Sequence, residues 1–468
     1  MSGEQVKEDM KMTIQAPAIR EGWKWFTESR YGLFIHFGPY ARYGRGEQVL
    51  FREHLDQSEY AREACEWNPV FFDAELWAYT ARKAGMKYAC LTTRHHDGYC
   101  LWDTATTDYS SAKQAPGRDL VREFTDAFRA GGLRVGLYYS WIDWRIPAYF
   151  DGPEKDPQGW EDMKRYLHAQ VEELVTKYGR IDHFFFDGVW PRTAEDLDSI
   201  KLVERMKSIQ PDILVNNRLG LSEEEKLHAD GGGGSGDSEV LGDFGSPEHV
   251  IVPDGKRLWE SSQVTTWRLW GYTNGERWRP ADVLLDMLCE CAEKGGTYGG
   301  NLLLNVGPQP DGQLPPEFVE RALKIGQWLE VHGEAIYGSD GGNLTEFITY
   351  GRQTMKGNYL YLIIRFWDGS PVLRLADLVT PVVRVTLLTT GQELTFRQDG
   401  DVLWIEGLPR ERPTELFPVI RIECESRPET NQWGSERLWT GDPSRIADWA
   451  RSRGTTVYAD GQPRHAKK

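Results

Sequence analysis

The sequence predicts an α/β protein, a (β/α)8-type barrel followed by a C-terminal antiparallel β-sandwich domain. Three observations carry this. Apolar runs without polar alternation recur through residues 1–340, as parallel strands buried on both faces require. Each run ends on a polar or charged residue, and amphipathic helical patterns separate one run from the next. From about Gly341 the pattern changes to short alternating runs punctuated by Gly, Asp and Pro.

In chain order, GWKWFTESR reads as a short helix ahead of a strand from Tyr31 to Phe37 that closes on His36 and a glycine. Asp73 caps the helix DAELWAYTARKAG, which stops near Gly85, and a strand runs from Lys87 into Arg94, His95, His96 and Asp97. RDLVREFTDAFRAGG places Leu120, Val121, Phe124, Ala127 and Phe128 on one helical face, with Gly131 as its stop. The strand LRVGLYYSWIDW ends in Tyr138, Tyr139 and Trp141. A helix from Asp162 to Tyr178 leads into IDHFFFDGVW, where the apolar run Phe184 to Phe186 stops on Asp187. A further helix precedes DILVNNR, which ends on Asn216, Asn217 and Arg218. RLWESSQ and GGNLLLNVGP supply the sixth and seventh strands, and FVERALKIGQWLEVHG is the closing helix. A doubly wound open sheet satisfies the same pattern.

Beyond this 1–340 barrel, NYLYLIIRFWD, VVRVTLLTT, GQELTFRQ, DVLWIEG and FPVIRIECE are the strands of a sandwich over 341–425. A polar extension, 426–468, contains a short helical pattern, DPSRIADWARSRG, suited to packing or to homo-oligomer contact. The glycine-dense stretch Ala229 to Asp254 reads as a mobile surface loop. It lacks the Lys-Ser/Thr and the strand, turn and helix frame of a phosphate cradle.

The formal net charge of −16 argues against nucleic acid and against anionic membrane surfaces as partners. The polar start has no secretory pattern, no segment is apolar enough to span a membrane, and six scattered cysteines lack paired spacing, which together point to the cytoplasm. Nineteen tryptophans suit stacking on the apolar faces of sugar rings as well as packing in a core.

Asp187 stands at the carboxyl end of a strand, where ligand chemistry assembles in barrels, although an Asp there also starts turns or caps helices. His36, His95, His96 and Arg218 stand at other strand ends, with Glu47, Glu248 and Glu260 in or beside them. A metal-dependent hydrolase would use the histidines as ligands. Because His95 and His96 are adjacent, a strand continuing through them would point them to opposite sides, so no metal or other cofactor is expected. A glycosidase needs two carboxyl groups flanking one glycosidic oxygen, with polar and aromatic side chains around the sugar, and this set suits that need better.

FIHFGPY, GRGE, LTTRHHDGYCLW, the run from DLV to GLYYSWIDW, FFFDG, VNNR, DFGSPE, the segment from LWE to LWGY, NLLLNVGPQPDG and GEAIYG resemble, in unbroken order, the motifs of the α-L-fucosidase family of retaining glycoside hydrolases. The resemblance runs from about Trp23 to Gly338 and continues into a similar C-terminal sandwich.

The resemblance implies an exo-glycosidase that hydrolyses terminal α-L-fucosyl residues of oligosaccharides or glycosides by double displacement. It assigns Asp187 as the nucleophile and Glu248, at the end of DFGSPE, as the acid/base, with Asp243 and Glu260 as competitors for the second role. It also implies that His36, Glu47, His95, His96, Tyr138 and Arg218 contact the sugar or support the nucleophile, and that Trp270 lies near the sugar's methyl group. Gln48 and Phe185 depart from the family's pattern, standing where many members carry Trp. A glycosidase for a related sugar such as an α-L-galactoside, or a catalytically silent sugar-binding protein on the same scaffold, are the alternatives.

Overall fold

The uninterrupted apolar runs become short parallel strands: β1 (Tyr31–Ile35), β2 (Tyr88–Arg94), β3 (Arg134–Ser140), β4 (His183–Asp187), β5 (Leu214–Val215), β6 (Phe244–Gly245), β7 (Leu258–Val264) and β8 (Gly299–Val306). Every residue of β1, β2, β7 and β8 is buried, as expected of strands packed on both faces. The computed structural model describes residues 19–221, 241–342 and 348–429, with the backbone of two paired strands at Thr455–Val457 and Pro463–His465. The chain divides into two compact units, Met1–Gly338 and Ser339–Lys468.

The strands of the first unit pair in the order β5-β4-β3-β2-β1-β8-β7-β6. The two terminal strands meet: Asn216 and Phe244 form a parallel bridge, and the Asp243 N–H donates to the Val215 carbonyl at 2.7 Å. That closure makes the sheet a barrel and not an open doubly wound layer. The eighth strand, β6, went unread because two residues inside a glycine-rich stretch carry no periodicity.

Helices follow the strands where side-chain caps start them. Asp73 accepts from the Leu76 N–H ahead of Ala74–Lys83, and Asp119 accepts from Arg122 N–H ahead of Leu120–Ala130. The helix expected from Asp162 begins instead at Pro157 and runs to Lys177, because Asp156 caps it and a proline costs nothing in a first turn. Ser199–Ile209, Ala281–Gly295 and Pro316–His332 follow β4, β7 and β8. Among the described residues no helix is long and apolar enough to cross a membrane.

The second unit holds seven antiparallel strands: β9 (Gly351–Lys356), β10 (Tyr359–Ile364), β11 (Val372–Leu375), β12 (Val382–Leu387), β13 (Gln392–Asp399), β14 (Val402–Glu406) and β15 (Val419–Cys424). They pair in the order β11-β14-β13-β12-β15-β10-β9. β13 turns the corner: Gln392 to Leu394 pair with β12, and Thr395 to Asp399 with β14. Leu360, Leu362, Val385 and Ile420 from one half and Leu375, Leu403 and Ile405 from the other fill a common core. Residues 229–240 of the glycine-dense stretch and the helical pattern in the C-terminal extension lie outside the described residues.

Candidate active site

The carboxyl ends of the barrel strands surround one cavity of about 230 Å3. His36 follows β1, His95 and His96 follow β2, Tyr138 lies in β3, Asp187 ends β4, Arg218 follows β5 and Glu248 follows β6. All seven line the cavity, together with Glu47 and Trp270. Phe34, Gln48, Phe185, Trp190 and Ser262 complete the wall. Trp190 and Ser262 were not anticipated. Trp190 sits three residues past Asp187, within reach of the same strand end, which is the signal that could have found it.

Asp187 is held from both sides. Arg218 Nη1 donates to Oδ1 at 2.7 Å, the Tyr138 hydroxyl donates to Oδ2 at 2.8 Å, and His96 Nε2 lies 3.8 Å from Oδ2. Burial alone would push this carboxyl up. The Arg218 guanidinium, together with the hydrogen bonds from Tyr138 and Arg218, more than offsets it and holds the group below the usual aspartate value, as a carboxylate. Burial and the adjacent Asp187 charge conversely keep the Tyr138 phenol protonated, so it remains a donor. The residue after Asp187 must be glycine: Gly188 has φ +67°, and a Cβ there would stand 2.8 Å from His96 Cε1.

The second nitrogen of the same guanidinium reaches the second carboxyl group. Arg218 Nη2 is 3.0 Å from Glu248 Oε2, while Glu248 Oε1 accepts from Trp270 Nε1 at 3.2 Å. Glu248 is fixed along the wall by a parallel bridge to Ser262 in β7. Its side chain is 33 % exposed against 14 % for Asp187, so it stands nearer the cavity mouth. Glu47 accepts from the Trp270 and Gly271 N–H groups at 3.0 and 2.8 Å, both through Oε2. Burial raises its pKa in spite of those bonds. Glu47 lines the cavity, which puts its carboxyl group within reach of a ligand.

The histidine tautomers follow from their neighbours. Ser140 gives its one proton to the Ile142 carbonyl at 2.8 Å, so its oxygen accepts from His96 Nδ1, 2.6 Å away. Asn305 donates through Nδ2 to the Trp270 carbonyl, which turns Oδ1 toward His36 Nδ1 at 2.7 Å. In both rings Nε2 is therefore the lone-pair nitrogen. Burial pushes His36 down to about 3 and His96 down to about 4, so both are neutral acceptors at physiological pH. His95 stacks on Tyr138 with centroids 5.6 Å apart, and its buried Nδ1 finds no partner among the described residues. Ser140 and Asn305 were not singled out from the sequence.

The divergence expected of His95 and His96 does not occur. β2 ends at Arg94, so strand alternation no longer governs the next two residues, and the rings lie 4.1 Å apart. Ligand atoms of His95, His96 and Asp187 come within 4.8 Å of one another. As a cation site the cluster is poor on its own donors: both Asp187 oxygens are engaged and a guanidinium already lies 2.7 Å from one of them. The set suits hydroxyl groups better.

The two competing carboxylates lie away from the cavity wall. Asp243 accepts from Val215 N–H at 3.0 Å and pairs with Lys207 at 2.5 Å, at the closure of the barrel. Glu260 is fully buried inside the barrel, taking hydrogen bonds from the Tyr88 hydroxyl at 2.6 Å and with His183 Nε2 at 2.8 Å. Neither has a free oxygen facing a ligand.

A model of the alpha-L-fucosidase family matches residues 2–334. The tissue alpha-L-fucosidase of Bos taurus is 29 % identical over 428 residues, spanning 85 % of this chain and 88 % of its own. Among solved structures, alpha-L-fucosidase isoenzyme 1 from Paenibacillus thiaminolyticus superimposes with a TM-score of 0.76 at 34 % identity, covering 87 % of this chain and 99 % of its own. An alpha-L-fucosidase from Bacteroides thetaiotaomicron, trapped as a covalent intermediate with 2-fluoro-fucosyl fluoride, gives 0.78 at 26 % identity over 88 % and 98 %.

Proposed function

We propose, from the premise that this chain belongs to the alpha-L-fucosidase family of glycoside hydrolases, that it releases terminal α-L-fucosyl residues from glycosides by double displacement with retention of configuration. Asp187 attacks the anomeric carbon while Glu248, as a carboxylic acid, protonates the departing oxygen. The glycosyl ester on Asp187 is then opened by water, whose proton Glu248 takes back as a base. The trapped intermediate of the Bacteroides relative supports this two-step course.

The observation that carries the reading is the Arg218 fork, which ties both carboxyl groups to one cavity wall. Its charge keeps Asp187 ionised, and its fixed planar geometry sets the spacing of attack and protonation. Around the sugar, His36 Nε2, His96 Nε2 and the Glu47 carboxyl group accept from hydroxyl groups. Phe34 packs against Phe185 at 5.1 Å and Trp270 at 5.9 Å, which gives an apolar wall for the methyl group of a 6-deoxy sugar. A hydroxymethyl group there would bury an unpaired hydroxyl, at a cost of roughly 1–3 kcal/mol.

Parallel turnover of aryl α-L-fucoside and aryl α-L-galactoside, with the first product anomer followed by NMR, tests the reading. The fucoside is expected to be preferred by about tenfold or more, with α-fucose formed first. Preference for the galactoside, β-fucose as the first product, or turnover of neither would overturn it.

A further inference from the structure

The geometry points to a second sugar ring at the cavity mouth: we propose that Phe51, Trp144 and Trp190, with the Gln48 amide, form a shelf that binds a pyranose aglycone. This rests on the fucosidase reading of the cavity and names the class of leaving group it serves.

The mouth is marked by the wall residues that reach solvent. Trp190 is 41 % exposed, and Glu248, the group that meets the departing oxygen, lies on the same rim. Beyond it, Phe51 is 63 % exposed, in a four-residue helix that Gln48 precedes. Its ring stacks on Trp144 with centroids 5.6 Å apart and planes 23° from parallel. Trp144 in turn lies 5.4 Å from the His96 ring, and its backbone N–H donates to the His96 carbonyl at 2.9 Å. Trp190 meets His96 at 6.0 Å from another side. A continuous line of aromatic rings thus leads from the fucosyl cavity out to solvent.

Apolar surface left exposed beside a site marks a binding function more often than a packing one. The polar groups beside it identify the ligand. Gln48 lines the cavity wall, and Arg52 Nε donates to its Oε1 at 3.1 Å, so the NH2 is the end of the amide left to donate. The Trp144 and Trp190 indole N–H groups have no partner among the described residues. Apolar faces bordered by donors match a pyranose, with its C–H face and its hydroxyl edge. An aryl group would leave the donors unanswered.

The test compares kcat/KM for a fucosyl-pyranose disaccharide with that for α-L-fucosyl fluoride, which carries no aglycone ring, in wild type, Phe51→Ala, Trp144→Phe and Gln48→Leu. The ratio is expected to fall about tenfold in Phe51→Ala, and severalfold in Trp144→Phe, which keeps one aromatic ring but loses the indole N–H, and in Gln48→Leu, which loses the amide donor. In Phe51→Ala and Trp144→Phe the ratio of isopropyl α-L-fucoside, whose leaving group has no ring, to fluoride should stay within about twofold of wild type. A disaccharide ratio unmoved in Phe51→Ala overturns the shelf. Loss on 4-nitrophenyl fucoside without loss on the disaccharide assigns it to aryl groups and overturns the pyranose assignment. Failure of wild type to hydrolyse the fluoride would instead overturn the fucosidase reading itself.

Discussion

Arg218 divides one guanidinium between two carboxyl groups, Nη1 lying 2.7 Å from Oδ1 of Asp187 and Nη2 3.0 Å from Oε2 of Glu248. A lysine would keep the charge but cannot span both positions, because an ammonium is a point and not a fork. Arg218→Lys is therefore expected to lower kcat/KM on aryl α-L-fucoside by about 10²- to 10⁴-fold, since losing one partner of a buried pair costs roughly 3–5 kcal/mol in all. Kinetics within threefold of wild type would show that neither carboxyl group depends on the fork.

Asp187→Ala should remove turnover by about 10⁴-fold or more while the barrel still folds, because the side chain stands at a strand end and not in the core. Azide entering the vacated space should restore part of the rate and give β-L-fucosyl azide. Wild-type rates in this variant would exclude Asp187 as the nucleophile.

Glu248→Ala should behave differently. A leaving group that needs no proton is spared, whereas alkyl and sugar linkages lose about 10²- to 10⁴-fold, the usual contribution of a general acid. A plot of rate against leaving-group acidity, steep in the variant and shallow in wild type, is the diagnostic result. Equal losses on all substrates would remove Glu248 from the acid role.

Asp243 tests the same point from outside the cavity. Its carboxylate joins the Val215 N–H of β5 to Lys207, so Asp243→Ala should cost stability, roughly 1–3 kcal/mol in urea unfolding. Its leaving-group dependence should match wild type. A selective loss on poor leaving groups would instead move the acid/base to this residue.

These roles differ in how far the sequence could reveal them. Asp187 was legible because an all-apolar run stopping on a carboxylate has few readings, and Arg218 because VNNR ends its run in the same manner. Glu248 was reached through its motif alone. Its strand, β6, is two residues long, and chain closure by Asp243 and Asn216 is a contact between distant segments. The shared orientation of His95 and His96 was hidden because it depends on where β2 stops, and strand boundaries are the weakest part of any pattern. Ser140 and Asn305, which set the histidine tautomers, look in sequence like ordinary strand residues; only register brings them to particular ring nitrogens. In the second unit β9 and β11 escaped notice because their polar and charged residues, as in GRQTMK and VLRL, blur the alternation.

The neutral rings also predict how stability responds to acid. His96, buried and held down to about 4, faces an unfolded chain whose imidazoles titrate near 6.5. Between those values the unfolded chain binds a proton that the folded chain refuses. The contribution of this ring is thus complete above about pH 6.5, declines as the pH falls, and is spent below about 4, where roughly 3 kcal/mol has been lost. His36, at about 3, adds a loss of the same sign that continues further into acid. Asp97 opposes them. Burial raises it to about 6, so between about 4 and 6 the folded state binds the extra proton and gains stability as the pH falls. Comparing wild type with His96→Asn cancels the Asp97 term and isolates the ring, since asparagine keeps a donor for Ser140 but does not titrate. Urea unfolding at pH 7, 5.5 and 4 should show the two proteins diverging, with the variant losing less stability on acidification by up to about 3 kcal/mol. Parallel decline of both would mean that His96 titrates alike in the folded and unfolded chain, so that burial does not hold the ring neutral through the acid range.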